Sequence, residues 1–231
     1  MGLYDRGYIN NSSSKIDNNF QTQIKVNEFI KQTYQLFAGS LLGGAVGAYL
    51  GMGFMPAGGI GFWGVVILEF ALLFGVYALK DKPGINLAML FAFTFVSGLT
   101  ISPLISAYVG RGMGGIVGEA FLLTSVAFGA LSLFAMNTKK DYTSMGKMLI
   151  ISLIIIIVVG LLNLFFHSPL LQLGIAVVSS VLFSFFILYD TQNIIQGNYS
   201  TPIEGAIALY LDFFNLFVSL LQILGIFGDE E

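Results

Sequence analysis

The chain carries seven apolar stretches, and each is long enough to cross a lipid bilayer as a helix. About 20 helical residues span the roughly 30 Å of hydrocarbon in a membrane. The stretches occupy residues 34–55, 60–79, 85–107, 113–136, 148–166, 169–192 and 203–227. Short segments that contain glycine, proline or lysine separate them. We therefore predict an all-α polytopic membrane protein with seven transmembrane helices.

The composition agrees with this class and excludes several functions. Of the 231 residues, 56% are hydrophobic and only 10% are charged, whereas a soluble domain is roughly 25% charged. The chain has no cysteine and one histidine, which excludes thiol catalysis, cysteine-ligated metal centres and histidine-rich metal sites. A formal net charge of -3 argues against nucleic-acid binding. We expect neither a bound cofactor nor a nucleic-acid partner.

The predicted crossings divide the chain into three parts. Residues 1–33 precede the first crossing, and we expect residues 1–15 to be flexible. Residues 16–33 place Ile16, Phe20, Ile24 and Ile30 at loose helical spacing, which suits a helix on the membrane surface. Residues 34–227 form the seven-helix transmembrane domain, and residues 228–231 form a short acidic tail.

The distribution of basic residues predicts the orientation. Nine of the ten lysines and arginines fall in segments that lie on one side of the membrane, and Arg111 falls on the other. The nine are Arg6, Lys15, Lys25, Lys31, Lys80, Lys82, Lys139, Lys140 and Lys147. By the positive-inside rule the N-terminus is cytoplasmic, and seven crossings place the C-terminus outside.

Three carboxylates lie at a similar depth inside the predicted helices. Asp190 lies about 10 Å, Asp212 about 15 Å and Glu69 about 16 Å from the cytoplasmic side, at about 1.5 Å per helical residue. The seventh helix also carries a polar stripe, which predicts that it faces protein rather than lipid. The stripe consists of Glu204, Ala208, Asp212, Asn215, Ser219 and Gln222. We predict an ion pathway lined by Glu69, Asp190, Asp212 and Asn215.

The two aspartates have a chemistry that suits proton sensing. Two carboxylates about 4 Å apart repel by roughly 4 kcal/mol at an effective dielectric constant of 20, so one of them should keep its proton near neutral pH. The pair then either shares a proton or, when ionised, attracts a cation. Calcium prefers oxygen ligands, so Asp190 and Asp212 are candidate transient calcium ligands, with Lys80 as a charge partner near the cytoplasmic rim.

Several motifs resemble a known family. The segments "LYDTQNII" and "ALYLDFFNLFVSLLQILG" resemble the C-terminal signature of the Bax-inhibitor family, and "TYQLFAGSLLGGAVGAYLG" resembles its first helix. The resemblance implies six helices around a central seventh, and a pH-sensitive calcium leak whose paired-aspartate sensor matches Asp190 and Asp212. It matches the family's second-helix acid to Glu69 and places Lys80 where some bacterial members carry arginine. It also suggests a bacterial inner-membrane protein.

Two other functions remain as alternatives. Aspartic intramembrane proteases also place "YD" on one helix and an aspartate on the next, and a carboxylate pair can activate water. This chain, however, has "LYLD" where those proteases have a glycine-flanked aspartate, and it lacks their later "PAL" motif. We therefore do not expect an enzyme. The second alternative is a stress or quality-control regulator that acts on a membrane partner such as a protease, with residues 1–33 as the binding element.

Overall fold

The computed structural model describes the backbone of residues 6–228 and the side chains of residues 23–228, and in that range every regular element is helical. The helices are α1 (Arg6–Gly51), α2 (Gly59–Ala78), α3 (Ile85–Gly110), α4 (Gly114–Asn137), α5 (Gly146–Phe166), α6 (Pro169–Ile195) and α7 (Pro202–Gly228). A short 3₁₀ turn (Thr143–Met145) precedes α5. The predicted all-α class with seven helices is confirmed.

Six of the helices, α2 to α7, are long and apolar enough to cross a membrane by length and composition. Helix α1 is not in this set, because glycine and polar residues dilute its apolar half. Its contacts nevertheless show that it covers the same thickness. Thr33 packs at Gly205 near the start of α7, and Gly51 packs at Ser102 in the outer part of α3. Helix α1 rises about 27 Å between these two residues, so it completes a bundle of seven.

The N-terminal half of α1 differs from the expected arrangement. We predicted a flexible segment over residues 1–15 and a separate surface helix over residues 16–33. Helix α1 instead runs without interruption from Arg6 into the membrane half, because no glycine or proline between residues 8 and 38 breaks it. Residues 1–5, and residues 229–231 of the predicted acidic tail, lie outside the described residues.

The last helix forms the centre of the bundle, as predicted. Helix α7 packs against α1, α3, α4 and α6, and 14 of its 27 residues are buried. In contrast, one of the 20 residues of α2 and three of the 21 residues of α5 are buried. Helix α2 packs mainly on α3, and α5 packs mainly on α6. The outer helices therefore present most of their apolar side chains to lipid.

Glycines allow α1 and α3 to pack closely in parallel. A Cβ atom at Gly47 would overlap the carbonyl oxygen of Phe95, and one at Gly98 would overlap the backbone of Gly44. Small residues permit such an approach of two helix backbones within a membrane. The close contact creates one continuous wall, against which α7 is held.

The link between α5 and α6 is the tightest connection. His167 adopts a left-handed conformation with φ of 49° directly after α5. Ser168 then caps α6, its hydroxyl accepting a hydrogen bond from the amide of Leu171, and Pro169 begins the helix. Proline suits the first position of a helix because the amide hydrogen that it lacks would have no intrahelical partner. Three residues therefore suffice to reverse the chain.

Candidate functional site

The two aspartates of the C-terminal motifs meet where α6 packs on α7. Asp190 lies in the last turns of α6 and is 5% exposed, and Asp212 lies in α7 and is 3% exposed. The two carboxyl groups interact directly across the contact of these helices. A hydrogen bond between them would require a proton, because two ionised carboxylates have only acceptors to offer. The site is therefore suited to hold one proton between the two groups.

One oxygen atom of this aspartate pair has no hydrogen-bond partner in the part of the chain that the structure describes. The Oδ2 atom of Asp212 is buried and has no hydrogen-bond partner among the described residues. A buried polar atom in this state is destabilising by about 1–3 kcal/mol relative to a bonded one. Asp212 also lines a cavity of about 570 Å³.

A tyrosine from the α6–α7 connection completes the contacts of Asp190. The hydroxyl of Tyr199 donates a hydrogen bond of 2.5 Å to Oδ1 of Asp190. Burial, followed by the nearby charge of Asp190, raises the pKa of Tyr199 far above its ordinary value, so the phenol remains a donor at physiological pH. Tyr199 could not be singled out from the sequence, because it lies in a short polar segment between the sixth and seventh predicted crossings.

The same connection is fastened by an ion pair. The Nζ atom of Lys80 lies 2.9 Å from Oε1 of Glu204. The other carboxylate oxygen of Glu204 accepts hydrogen bonds of 3.0 Å and 2.7 Å from the amide and hydroxyl of Ser200. The salt-bridge partner of Lys80 is therefore Glu204 and not the aspartates, which corrects the predicted role. The reason is depth, since Lys80 follows the end of α2 and is level with the first turn of α7.

Glu69 lines the same cavity but does not join the aspartate pair. Its carboxyl group is partly buried and lies near Thr100 of α3, whose hydroxyl donates a hydrogen bond to the carbonyl of Val96. Asn215 also lines the cavity, and its amide donates a hydrogen bond of 2.7 Å to the carbonyl of Leu211. The structure thus brings all four predicted pathway residues to one cavity. Within its described part it groups no three histidine, cysteine or acidic residues closely enough to hold a metal ion.

The C-terminal end of α6 is anchored firmly. The side-chain oxygen of Gln192 accepts a hydrogen bond of 2.6 Å from the amide of Tyr142. Its side-chain nitrogen donates to the carbonyls of Ala135 and Lys140 at 3.3 Å and 2.8 Å. Gln192 therefore ties α6 to the α4–α5 connection, two residues beyond Asp190. The polar residue types of this segment were visible in the sequence, but their partners are about 50 residues away and were not.

An aromatic group separates the cavity from the outer half of the bundle. The rings of Tyr210 and Phe214 stack at 5.8 Å, and Phe93 packs edge-on against Tyr210 at 5.9 Å. The Tyr210 hydroxyl hydrogen-bonds with Ser97 and donates to the carbonyl of Thr94. Phe214 lines the acidic cavity and also an apolar cavity of about 340 Å³ in the outer half. These side chains therefore form a barrier between the two cavities.

The chain is similar to one known protein family and to several bacterial proteins. A family model described as inhibitor of apoptosis-promoting Bax1 matches residues 26–229. An uncharacterized protein of Campylobacter jejuni is 53% identical over 100% of both chains. A protein of Escherichia coli K12 named modulator of FtsH protease YccA is 33% identical over 68% of this chain and 71% of its own length. A protein of another Escherichia coli strain, named inner membrane protein YccA, matches equally well.

Proposed function

The chain belongs to the family of inhibitors of apoptosis-promoting Bax1, and on this basis we propose that it is a proton-regulated calcium leak across the membrane. The observation that carries the proposal is the direct contact of Asp190 with Asp212, which are both buried between α6 and the central helix beside a cavity. A buried carboxyl pair is a proton switch with two states, and the fully ionised state, with two negative charges, attracts a divalent cation more strongly than the state that shares a proton.

In the proposed closed state the pair shares a proton. The shared proton ties α6 to α7, while Tyr199 and the Lys80–Glu204 pair hold the α6–α7 connection at the cytoplasmic side of the cavity. Toward the outside, Tyr210 and Phe214 block the path. Calcium finds no continuous route in this state.

Loss of the shared proton breaks the tie. Two carboxylates about 4 Å apart repel by roughly 4 kcal/mol at an effective dielectric constant of 20. Because Gln192 anchors α6, we propose that the central helix takes up the resulting displacement. The ionised pair then attracts calcium, whose remaining ligands are water and the oxygens of Glu69 and Asn215. The binding is transient because no preformed cluster of acids holds the ion. The leak therefore increases with rising pH.

We propose that the protein lies in a bacterial inner membrane, with its N-terminus in the cytoplasm. The location is supported by the name of the Escherichia coli relative. The orientation rests on the nine basic residues that share one side. In this orientation the Lys80–Glu204 pair and Tyr199 face the cytoplasm, and the apolar cavity faces the outside.

Calcium entry into dye-loaded liposomes that contain the purified chain tests the proposal. The flux is recorded from mildly acidic to mildly alkaline pH for the wild type and for Asp190→Asn. Glu119→Gln, which changes an exposed carboxyl of α4, is the control. We expect a flux that increases with pH in the wild type and in Glu119→Gln but stays low in Asp190→Asn. No flux above that of empty liposomes at any pH would exclude the leak.

A second candidate function is favoured by one relative. The Escherichia coli protein is named as a modulator of FtsH protease, and the alternative that we propose is that this chain acts on a membrane protease through residues 1–33. Such a role needs a folded surface but no proton switch. Co-purification of a membrane protease with the full chain tests this role. A protease that is retained by the double variant Asp190→Asn and Asp212→Asn, and lost on deletion of residues 1–22, would favour the modulator role over the leak.

A further inference from the structure

The acidic cavity opens sideways into the bilayer, between α2 and α5. Three of its lining residues, Phe70 of α2 and Ile150 and Ile157 of α5, are 57%, 54% and 52% exposed. Phe70 and Ile157 each lie 11 residues from the start of their helix, which is near the middle of the membrane. Exposed apolar side chains at this depth contact hydrocarbon, so the rim of the cavity is in contact with lipid.

The interior of the cavity combines aromatic and acidic surfaces. Aromatic side chains dominate the lining: Phe70, Tyr77, Phe93, Phe183, Phe186, Tyr199 and Phe214. Asp212, Asp190 and Glu69 supply carboxyl groups. Asp212 has a side chain that is only 3% exposed, and its Oδ2 atom has no hydrogen-bond partner among the described residues. A volume of about 570 Å³ is within the range of about 300–1,000 Å³ that is usual for small-molecule sites.

We propose that this cavity binds lipophilic monovalent cations that enter from the bilayer between α2 and α5. The aspartate pair with its shared proton carries one negative charge, which complements one positive charge. Aromatic rings attract a diffuse cation through their faces, and such an ion needs no set of oxygen ligands. This fits a cavity around which no three metal-ligating side chains of the described residues cluster.

Two other occupants fit less well. A neutral acyl chain would fill the apolar part of the cavity, but it would leave Oδ2 of Asp212 without a partner in hydrocarbon. A hydrated metal ion would have to pass the exposed apolar rim that Phe70, Ile150 and Ile157 form. A cation with an apolar body is compatible with both the rim and the interior. This inference does not depend on calcium conduction.

Binding of radiolabelled tetraphenylphosphonium to the purified full chain in detergent micelles tests the proposal. Tetraphenylborate is the matched control ion, because it has nearly the same shape and the opposite charge. Protein-free micelles correct for partition into detergent. The variants are the double variant Asp190→Asn with Asp212→Asn, and Glu69→Gln. Glu119→Gln is the control for loss of a carboxyl elsewhere, and thermal melting confirms that each variant is folded.

We expect saturable binding of the phosphonium and none of the borate. Loss of the negative charge of the pair should weaken binding about tenfold or more in the double variant, and loss of the Glu69 charge about threefold in Glu69→Gln, with no change in Glu119→Gln. If the double variant does not fold, Glu69→Gln decides, because its carboxyl is only partly buried. Equal binding of both ions, no saturable binding, or unchanged affinity in the folded variants would overturn the proposal. Each of these results is independent of whether the liposome flux is found.

Discussion

The substitution Asp212→Asn separates the proton switch from the shape of the site. Asparagine has nearly the size of aspartate, and its side-chain amide can donate a hydrogen bond to the carboxylate of Asp190. The contact that now needs a shared proton would then persist at every pH. In the wild type, ionisation of both groups introduces a repulsion of roughly 4 kcal/mol at about 4 Å. At about 1.4 kcal/mol per factor of ten, this repulsion shifts the equilibrium between tied and separated helices by about a thousandfold.

We therefore expect Asp212→Asn to keep the flux at the acidic level of the wild type across the whole pH range. Calcium entry into dye-loaded liposomes measures this, with reconstitution checked by the protein content of the liposomes. Asp212→Ala is the matched variant, because it can neither ionise nor donate. It should give a flux that is also independent of pH but higher than that of Asp212→Asn at acidic pH. A wild-type pH response in folded Asp212→Asn would refute the argument, since one ionisable group of the pair would then be dispensable.

Three further predictions follow from other contacts. Tyr199→Phe removes a hydrogen bond to the buried carboxyl of Asp190. Because hydrogen bonds to charged groups contribute about 1.5–3 kcal/mol, the liposome flux at acidic pH should increase severalfold. An unchanged flux would show that the α6–α7 connection does not restrict the calcium path. Gly47→Ala should lower the free energy of unfolding, measured by denaturant titration, by about 1–3 kcal/mol through overpacking against α3. The control Gly129→Ala, whose added Cβ meets open space, should change the free energy of unfolding by less than about 0.5 kcal/mol. In this chain without native cysteine, a membrane-impermeant maleimide applied to intact cells should label Ala57→Cys and not Lys139→Cys; the reverse pattern would invert the topology.

The positions of the helices were predictable because the bilayer imposes a simple requirement on the sequence. Each crossing must be apolar over about 20 residues, so a stretch such as residues 148–166 appears in the structure as α5 (Gly146–Phe166) with ends shifted by two residues or fewer. The boundary at "HSP" was the least distinct in the sequence, because only two residues separate the fifth and sixth apolar stretches. In the structure Pro169 begins α6, and proline disfavours a helical conformation in the residue before it. Helix α1 was less predictable, because the loosely spaced apolar residues of 16–33 suggested a separate surface helix, whereas the structure has one continuous helix.

The site was predictable in its acidic members and not in their partners. An aspartate in the middle of an apolar stretch is costly in a membrane, by about 2.5–3.5 kcal/mol, so Asp190 and Asp212 stood out in the sequence. Their depth in α6 and α7 also predicted that they would lie close together. Tyr199 did not stand out, because a tyrosine in a polar turn carries no functional signal in the sequence. Only the folded α6–α7 connection brings its hydroxyl to Asp190. Lys80 was assigned to the aspartates because Glu204 lies 124 residues away along the chain.

The sequence by itself determined the class of protein, the number of helices, the buried acids and the family, because each depends on residue type and on spacing along one helix. Only the tertiary structure decided which groups touch. It placed Glu204 against Lys80, Tyr199 against Asp190 and Glu69 beside Thr100, and it left the cavity open between α2 and α5. These features depend on how helices that are distant in the chain rotate and pack against one another. That packing is set by small residues such as Gly47 and by side-chain shape, which the apolar pattern of a single crossing does not encode.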